Sequence, residues 1–214
     1  MKILDIYSKY NIPDFLIDHM LKVTAVSRVI CDSIVISRID SNLVSRVLLL
    51  HDIGNLVKID LRRIESIVLN ENLFDYWIRV KNEFIEKYGS DDHVASAKIA
   101  GELGLPQYEI SLLSFDYFFE IDSVLKSQDW HLKICAYSDQ RVAPFGVTTL
   151  RQRLEDVKDR YCQIPKYKNF DYDNLICLAE ELESQIQSVC RIDLQSIDEN
   201  SIKNYKSIVS NFEV

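Results

Sequence analysis

Apolar residues recur every three or four positions through long stretches of the chain, which is the spacing of one buried face of an α-helix. The first such stripe predicts a helix over residues 13–37 and consists of Leu16, Met20, Val23, Val26 and Ile30. Pro13 suits the start of this helix, because the first helical N–H has no partner within the helix. A second helix is predicted over residues 41–52, with Gly54 as its terminator.

The same spacing continues to the end of the chain and predicts an all-α fold. Only 5 Gly and 4 Pro interrupt it, and no alternating segment flanked by tight turns indicates a sheet. The further predicted helices span residues 61–69, 73–88, 90–103, a short stretch from 106, 129–141, 148–160, 171–191 and 196–210.

Composition and charge limit the classes of molecule that the protein is expected to bind. The net charge of −8, from 25 Lys+Arg against 33 Asp+Glu, argues against binding a nucleic-acid polymer, which needs a basic surface. A small anionic substrate stays compatible, because a metal ion reverses the local field. No apolar stretch approaches the roughly 20 residues of a membrane span. Five cysteines without a CxxC pair, and a start without a signal peptide, predict reduced thiols in a cytoplasmic protein.

The adjacent pair His51 and Asp52 closes the second predicted helix, directly after the apolar run at residues 47–50. Both side chains are costly to bury without a partner. Imidazole and carboxylate together suit divalent ions such as Zn, Fe and Mn. The pair therefore indicates a metal site whose remaining ligands come from elsewhere in the chain.

Three segments, at residues 18–23, 50–54 and 136–141, together resemble the motif of the HD-domain (HDIG-type) metal-dependent phosphohydrolases. That motif is a His on an early helix, an adjacent His-Asp pair closing a later helix, and a distant Asp on a downstream helix. The resemblance covers about residues 12–160. It implies that a divalent ion (Mn, Fe, Co, Ni, Zn or Mg) is held by His19, His51, Asp52 and Asp139.

The resemblance also implies the architecture and the reaction. Residues 1–165 would form an HD-domain helical bundle, and residues 166–214 a C-terminal helical extension packed on the same domain. The activity would be that of a phosphomonoesterase or phosphodiesterase acting on a small phosphate ester, with a nucleotide favoured, through a metal-activated water. Asp52 would accept the proton of that water, and His93 would polarise the phosphate or protonate the leaving group. His93 is otherwise a surface histidine at a helix start.

Binding of an anionic substrate is favoured by Lys or Arg side chains near the metal. Several HD proteins carry Lys directly after the HDxG turn, where this chain has Asn55; either Asn55 or Lys58, in the next turn, would contact the phosphate. Arg141 would clamp the phosphate or form a structural ion pair with Glu155 or Asp156.

Two further residues are predicted to line the substrate pocket. Lys22 lies about one turn after His19, and Tyr137 precedes Asp139 by two residues. The aromatic cluster at residues 115–119 would stack a nucleobase or belong to the core.

Two alternatives to hydrolysis stay open. A nucleotide-binding sensor or interaction module without turnover is favoured by Asn55 in place of Lys and by the helical tail after residue 165, which is also a candidate homodimer contact. A di-iron HD-type oxygenase needs additional histidines, and only His93 and His131 lie outside the predicted ligand set.

Overall fold

The computed structural model describes residues 1–36, 39–64, 67 and 71–214, except for the side chains of residues 71 and 166. Most of this described chain is α-helical, which confirms the predicted all-α fold. The helices are α1 (Ile3–Lys9), α2 (Asp14–Ser33), α3 (Ser41–Leu50), α4 (Glu71–Tyr88), α5 (Asp92–Glu102), α6 (Gln107–Leu113), α7 (Ile121–Lys126), α8 (Trp130–Asp139), α9 (Leu150–Tyr161), α10 (Tyr172–Gln187) and α11 (Glu199–Val209).

Short elements connect these helices. Strands β1 (Val142–Ala143) and β2 (Gly146–Val147) form an antiparallel hairpin in which Val142 lies opposite Val147. Single turns of 3-10 helix occupy Asn55–Val57, Leu61–Arg63, Pro165–Tyr167 and Leu194–Ser196. Among the described residues, no helix combines the length and apolarity that crossing a membrane requires.

Helix α2 is the centre of the fold. Its predicted apolar stripe is confirmed, because all five stripe residues are buried. Helices α3, α8 and α11 pack against α2, and α3 also packs against α8. The three helices α2, α3 and α8 therefore form a mutually packed core.

Helix α2 ends earlier than predicted, at Ser33 instead of residue 37. Ile34 adopts an extended backbone and pairs with Cys190, and the Val35 N–H donates to the Val189 carbonyl at 2.9 Å. A contact from the distant C-terminal part of the chain therefore ends the helix. The predicted end itself lies outside the described residues, as do residues 65, 66, 68 and 69 of the helix predicted over 61–69.

The C-terminal segment lies along α2. The Tyr205 hydroxyl donates to the Asp32 carboxylate at 2.7 Å, and Lys206 forms an ion pair with Asp18. Helix α11 is thus packed on the helix that carries His19. The predicted domain boundary at residue 165 stays a prediction.

The turn after α3 packs directly on α5 at Gly54. A Cβ atom at this position would lie 2.5 Å from the Ser96 backbone nitrogen and 2.6 Å from the Asp92 carbonyl oxygen. The Gly54 N–H donates to Ser96 Oγ at 3.0 Å, and Ser96 Oγ donates to the His51 carbonyl at 3.0 Å. Glycine is required here by the close approach of two backbones, and Ser96 holds the turn in place.

We expect Gly54→Ala to lower the free energy of unfolding by about 1–3 kcal/mol, because the added methyl group would overpack against fixed backbone atoms. Gly101→Ala is the matched control. Its Cβ would meet only Ile110 Cδ1, at 4.0 Å, on an exposed helical site, so Ala should raise stability by about 0.5–1 kcal/mol. Urea unfolding followed by circular dichroism measures both. Equal effects of the two substitutions would contradict the packing argument.

Candidate metal centre

The core of α2, α3 and α8 brings the predicted ligands together. His19 lies in the second turn of α2, and Asp139 is the last residue of α8. His51 is the C-cap residue of α3, and Asp52 follows it in the turn. Because these helices pack on one another, their ligand-bearing segments meet at one place.

The side-chain atoms at this place lie close enough to share one ion. His19 Nε2 is 3.2 Å from Asp139 Oδ1 and 3.6 Å from Asp52 Oδ2. His51 Nε2 is 3.5 Å from Asp139 Oδ1 and 3.9 Å from Asp52 Oδ2. The ligand atoms of His19, His51 and Asp139 all lie within 4.8 Å of one another. Two imidazoles and two carboxylates form a donor set that suits a divalent transition metal.

The orientation of His51 fits a ligand role. Its Nδ1 lies 2.7 Å from the Leu48 carbonyl, which can only accept, so Nδ1 carries the proton. The lone pair of the neutral ring is therefore on Nε2. That nitrogen is buried and has no hydrogen-bond partner among the described residues. A cation at this position would satisfy it.

The electrostatics of the cluster favour positive charge at its centre. Burial opposes the charged form of His51, but the Asp52 and Asp139 carboxylates outweigh it and raise the pKa of His51 to about 9. Burial would also raise the pKa of Asp139, but the neighbouring His19 and His51 rings hold that pKa well below its usual range. The carboxylates thus stay ionised and attract either protons on the rings or a bound cation.

Lys58 and His93 lie beside the cluster and are linked through Asp92. Lys58 forms an ion pair with Asp92, and His93 Nε2 lies 3.8 Å from Asp92 Oδ2. Burial opposes the charge of Lys58, but the Asp52 and Asp92 carboxylates outweigh it and raise its pKa. Asp52 is the most exposed ligand, with 22% of its side chain accessible against 5% for His51. The more exposed edge of the centre is therefore the one formed by Asp52.

Arg141 and Tyr137 do not reach the centre, and the prediction that they bind substrate is corrected. Arg141 is fully buried. Its guanidinium donates to the carbonyls of Thr148, Leu194 and Ile197 and to the Tyr137 hydroxyl. The Tyr137 hydroxyl in turn donates to the Glu183 carboxylate at 2.6 Å. Arg141 therefore joins the hairpin to the C-terminal segment, without the predicted ion pair to Glu155 or Asp156.

Lys22 forms two ion pairs. Its Nζ lies 2.9 Å from Asp18 Oδ2 and 3.5 Å from Glu199 Oε1. These ion pairs connect α2 to α11, and the predicted substrate contact of Lys22 stays a prediction. Asn55 has a buried Oδ1 without a hydrogen-bond partner among the described residues, and its predicted role stays a prediction.

The remaining histidine and the aromatic cluster also have structural environments. His131 Nε2 accepts from the Asp40 N–H at 3.0 Å, and His131 Nδ1 lies 3.1 Å from the Tyr108 hydroxyl. His131 is therefore not a ligand of the centre. Tyr117 is buried, and Phe119 stacks on Tyr167 with ring centroids 4.7 Å apart. The interpretation of residues 115–119 as packing is thus supported.

Two residues near the centre have no counterpart among the sequence predictions. Ser96 holds the His51 turn, as described above. Arg153 is a buried charge on α9, where it interrupts the apolar face formed by Leu150, Leu154 and Val157. A charged residue at a helical core position was the signal that could have identified Arg153.

Comparisons with known protein families, with curated proteins and with solved structures found no match to this chain. The resemblance to HD-domain phosphohydrolases therefore rests on the sequence motifs alone.

We expect the purified protein to carry about one equivalent of a transition metal per chain, and His51→Ala to lower that content at least about tenfold. The reason is that the substitution removes the buried Nε2 donor. Elemental mass spectrometry on identically purified proteins measures this. His131→Ala is the matched control and should retain the metal. Equal metal content in both variants would contradict the assignment of His51, and no metal in any of them after incubation with Mn²⁺ or Co²⁺ would contradict the site.

Arg141→Met should lower the free energy of unfolding by about 3–5 kcal/mol, because it leaves several buried acceptors without donors. Arg151→Met is the control on an exposed arginine that pairs with Glu180, and its effect should stay within about 0.5 kcal/mol. Denaturant unfolding measures both. A mild effect of Arg141→Met, accompanied by a loss of phosphate binding, would restore the substrate-clamp prediction.

Proposed function

We propose that this protein is a metal-dependent phosphohydrolase of the HD type, acting in the cytoplasm on a small phosphate ester, with a nucleotide as the favoured substrate. The observation that carries the proposal is the convergence of His19, His51, Asp52 and Asp139, with His51 Nε2 buried and unpartnered among the described residues. Three of these residues, His19, His51 and Asp139, form a group that could hold an ion, and Asp52 Oδ2 lies 3.6 Å from His19 Nε2.

The donor set fits the chemistry of phosphate hydrolysis. When bound, a divalent ion supplies Lewis acidity for a phosphoryl oxygen and lowers the pKa of water. Asp52 is suited to accept the proton from an attacking water, because its carboxylate is ionised and is the most accessible of the four ligands. Asp139 and His51 are nearly enclosed and serve to hold the ion.

The groups linked by Asp92 would act on the phosphate. Lys58 carries a stable positive charge next to Asp52, so it can neutralise charge on a phosphoryl oxygen. His93 is half-buried at the start of α5 and would donate a proton to the leaving group. Asp92, which contacts both, would position them relative to each other.

The test is phosphate release from a panel of nucleotides, cyclic nucleotides and sugar phosphates, with protein saturated with Mn²⁺. At least one ester should be hydrolysed by the wild type. Asp52→Asn should lower kcat for it at least about 100-fold, because the proton acceptor is lost. Asp122→Asn is the matched control, since Asp122 is exposed and pairs only with Lys126.

Two outcomes would overturn the proposal. One is an Asp52→Asn variant that turns over at the wild-type rate. The other is metal-loaded wild type that binds nucleotides but hydrolyses none of the panel, which is the behaviour expected of a sensor module.

A further inference from the structure

Arg153 is a buried guanidinium next to the candidate metal centre. It lies in the first turn of α9 and is only 8% exposed. A permanently charged side chain is costly to bury unless its charge is paired and its donors are satisfied. The partners of Arg153 therefore decide what the residue does.

The hydrogen bonds of Arg153 do not satisfy its whole guanidinium group. Arg153 Nη1 donates to Asp156 Oδ2 at 3.0 Å. The same oxygen accepts from Arg160 Nε at 3.0 Å and from Arg160 Nη2 at 2.7 Å, so one carboxylate serves two guanidinium groups. Arg153 Nε is buried without a hydrogen-bond partner among the described residues. The Phe118 ring lies 5.0 Å from the guanidinium carbon and restrains its orientation.

The centre and its flanking cation are close to Arg153. Burial lowers the pKa of Arg153, and the Asp139 carboxylate is the strongest opposing influence. The Tyr161 phenol acts on the pKa of Arg153 and also on that of Lys58. Contacts within the fold bring Arg153 close to the Asp139 end of α8. Gln140, the residue after Asp139, donates from Nε2 to the Tyr117 carbonyl at 2.6 Å, and the next residue, Phe118, lies against the Arg153 guanidinium. Lys58 lies on the other side, where it pairs with Asp92.

The charge balance around Arg153 changes when a cation is bound. The charge of the Asp139 carboxylate is then shared between the cation and the guanidinium. Asp156 is already shared by Arg153 and Arg160, so an anion beside Arg153 is favoured. The Nε and Nη2 atoms form one edge of the guanidinium fork, and this geometry suits two oxygens of a single phosphoryl group.

We propose that Arg153 is a substrate-binding residue whose Nε–Nη2 edge binds the phosphoryl oxygens of the substrate, opposite Lys58. This inference rests on the proposed function for its substrate class. It predicts that affinity for the anion itself depends on Arg153, whether or not the ester is hydrolysed.

The experiment measures binding of inorganic phosphate to Mn²⁺-loaded protein by equilibrium dialysis, in wild type, Arg153→Gln and Arg153→Lys. Arg153→Gln should weaken phosphate binding by about tenfold or more, because charge-assisted hydrogen bonds are lost. Arg153→Lys should give an intermediate affinity, since it keeps the charge but not the fork. Arg151→Gln, an exposed arginine two residues earlier on α9, should bind as wild type does.

Metal content and Tm are measured on the same samples. Metal content should not change, because Arg153 is not a ligand. If Arg153 served only its ion pair with Asp156, Arg153→Gln would lower Tm and leave phosphate affinity unchanged, and that result would overturn the inference. If Arg153→Gln does not fold, Arg153→Lys decides: wild-type phosphate affinity in that variant overturns the inference.

Failure of the proposed hydrolase function would give a different result from failure of the inference about Arg153. Wild type that binds phosphate through Arg153 but hydrolyses no ester would leave the inference standing and overturn the hydrolase proposal. Metal-loaded wild type that binds no phosphate at millimolar concentration would overturn the inference, even if an ester were hydrolysed.

Discussion

The mutual packing of α2, α3 and α8 is the constraint on which the rest of the structure depends. These helices bury apolar faces against one another, and their packing brings two histidines and two aspartates into a nearly enclosed space. Charged groups in such a space must be neutralised locally. The close contact of Gly54 with α5 and the two hydrogen bonds of Ser96 fix the turn that carries His51 and Asp52. The packing of these helices therefore also determines the geometry of the site.

The fold was predictable where the helices are long and amphipathic. The stripe of α2 is buried as predicted, and the helices predicted over residues 90–103 and 148–160 are found as α5 and α9. Helices α1 and α7 span only about two turns each, too short for a recurring stripe, and were not predicted. The hairpin β1–β2 was also missed, because two-residue strands carry no alternation. The end of α2 depends on Cys190, a contact between segments far apart in sequence.

The clustering of the two histidines and two aspartates was predictable from the sequence, whereas the partners of the nearby Lys and Arg side chains were less so. His51 and Asp52 stand out because adjacent polar residues end an apolar run. The prediction for Arg141 failed because its side chain is fully buried and its guanidinium donates to the carbonyls of Thr148, Leu194 and Ile197. Arg141 and Lys22 both have partners after residue 193, and spacing along the chain does not reveal such distant contacts.

The net charge of the chain and the local charge at the centre lead to opposite expectations about the binding of an anion. The whole molecule carries −8, which opposes the approach of an anion, whereas the centre is flanked by Lys58 and Arg153. Asp92 neutralises Lys58, and Asp156 is divided between Arg153 and Arg160. Once a divalent ion offsets Asp52 and Asp139, the balance around the open side is positive. A small phosphate ester can then be held by a local field that the overall composition conceals.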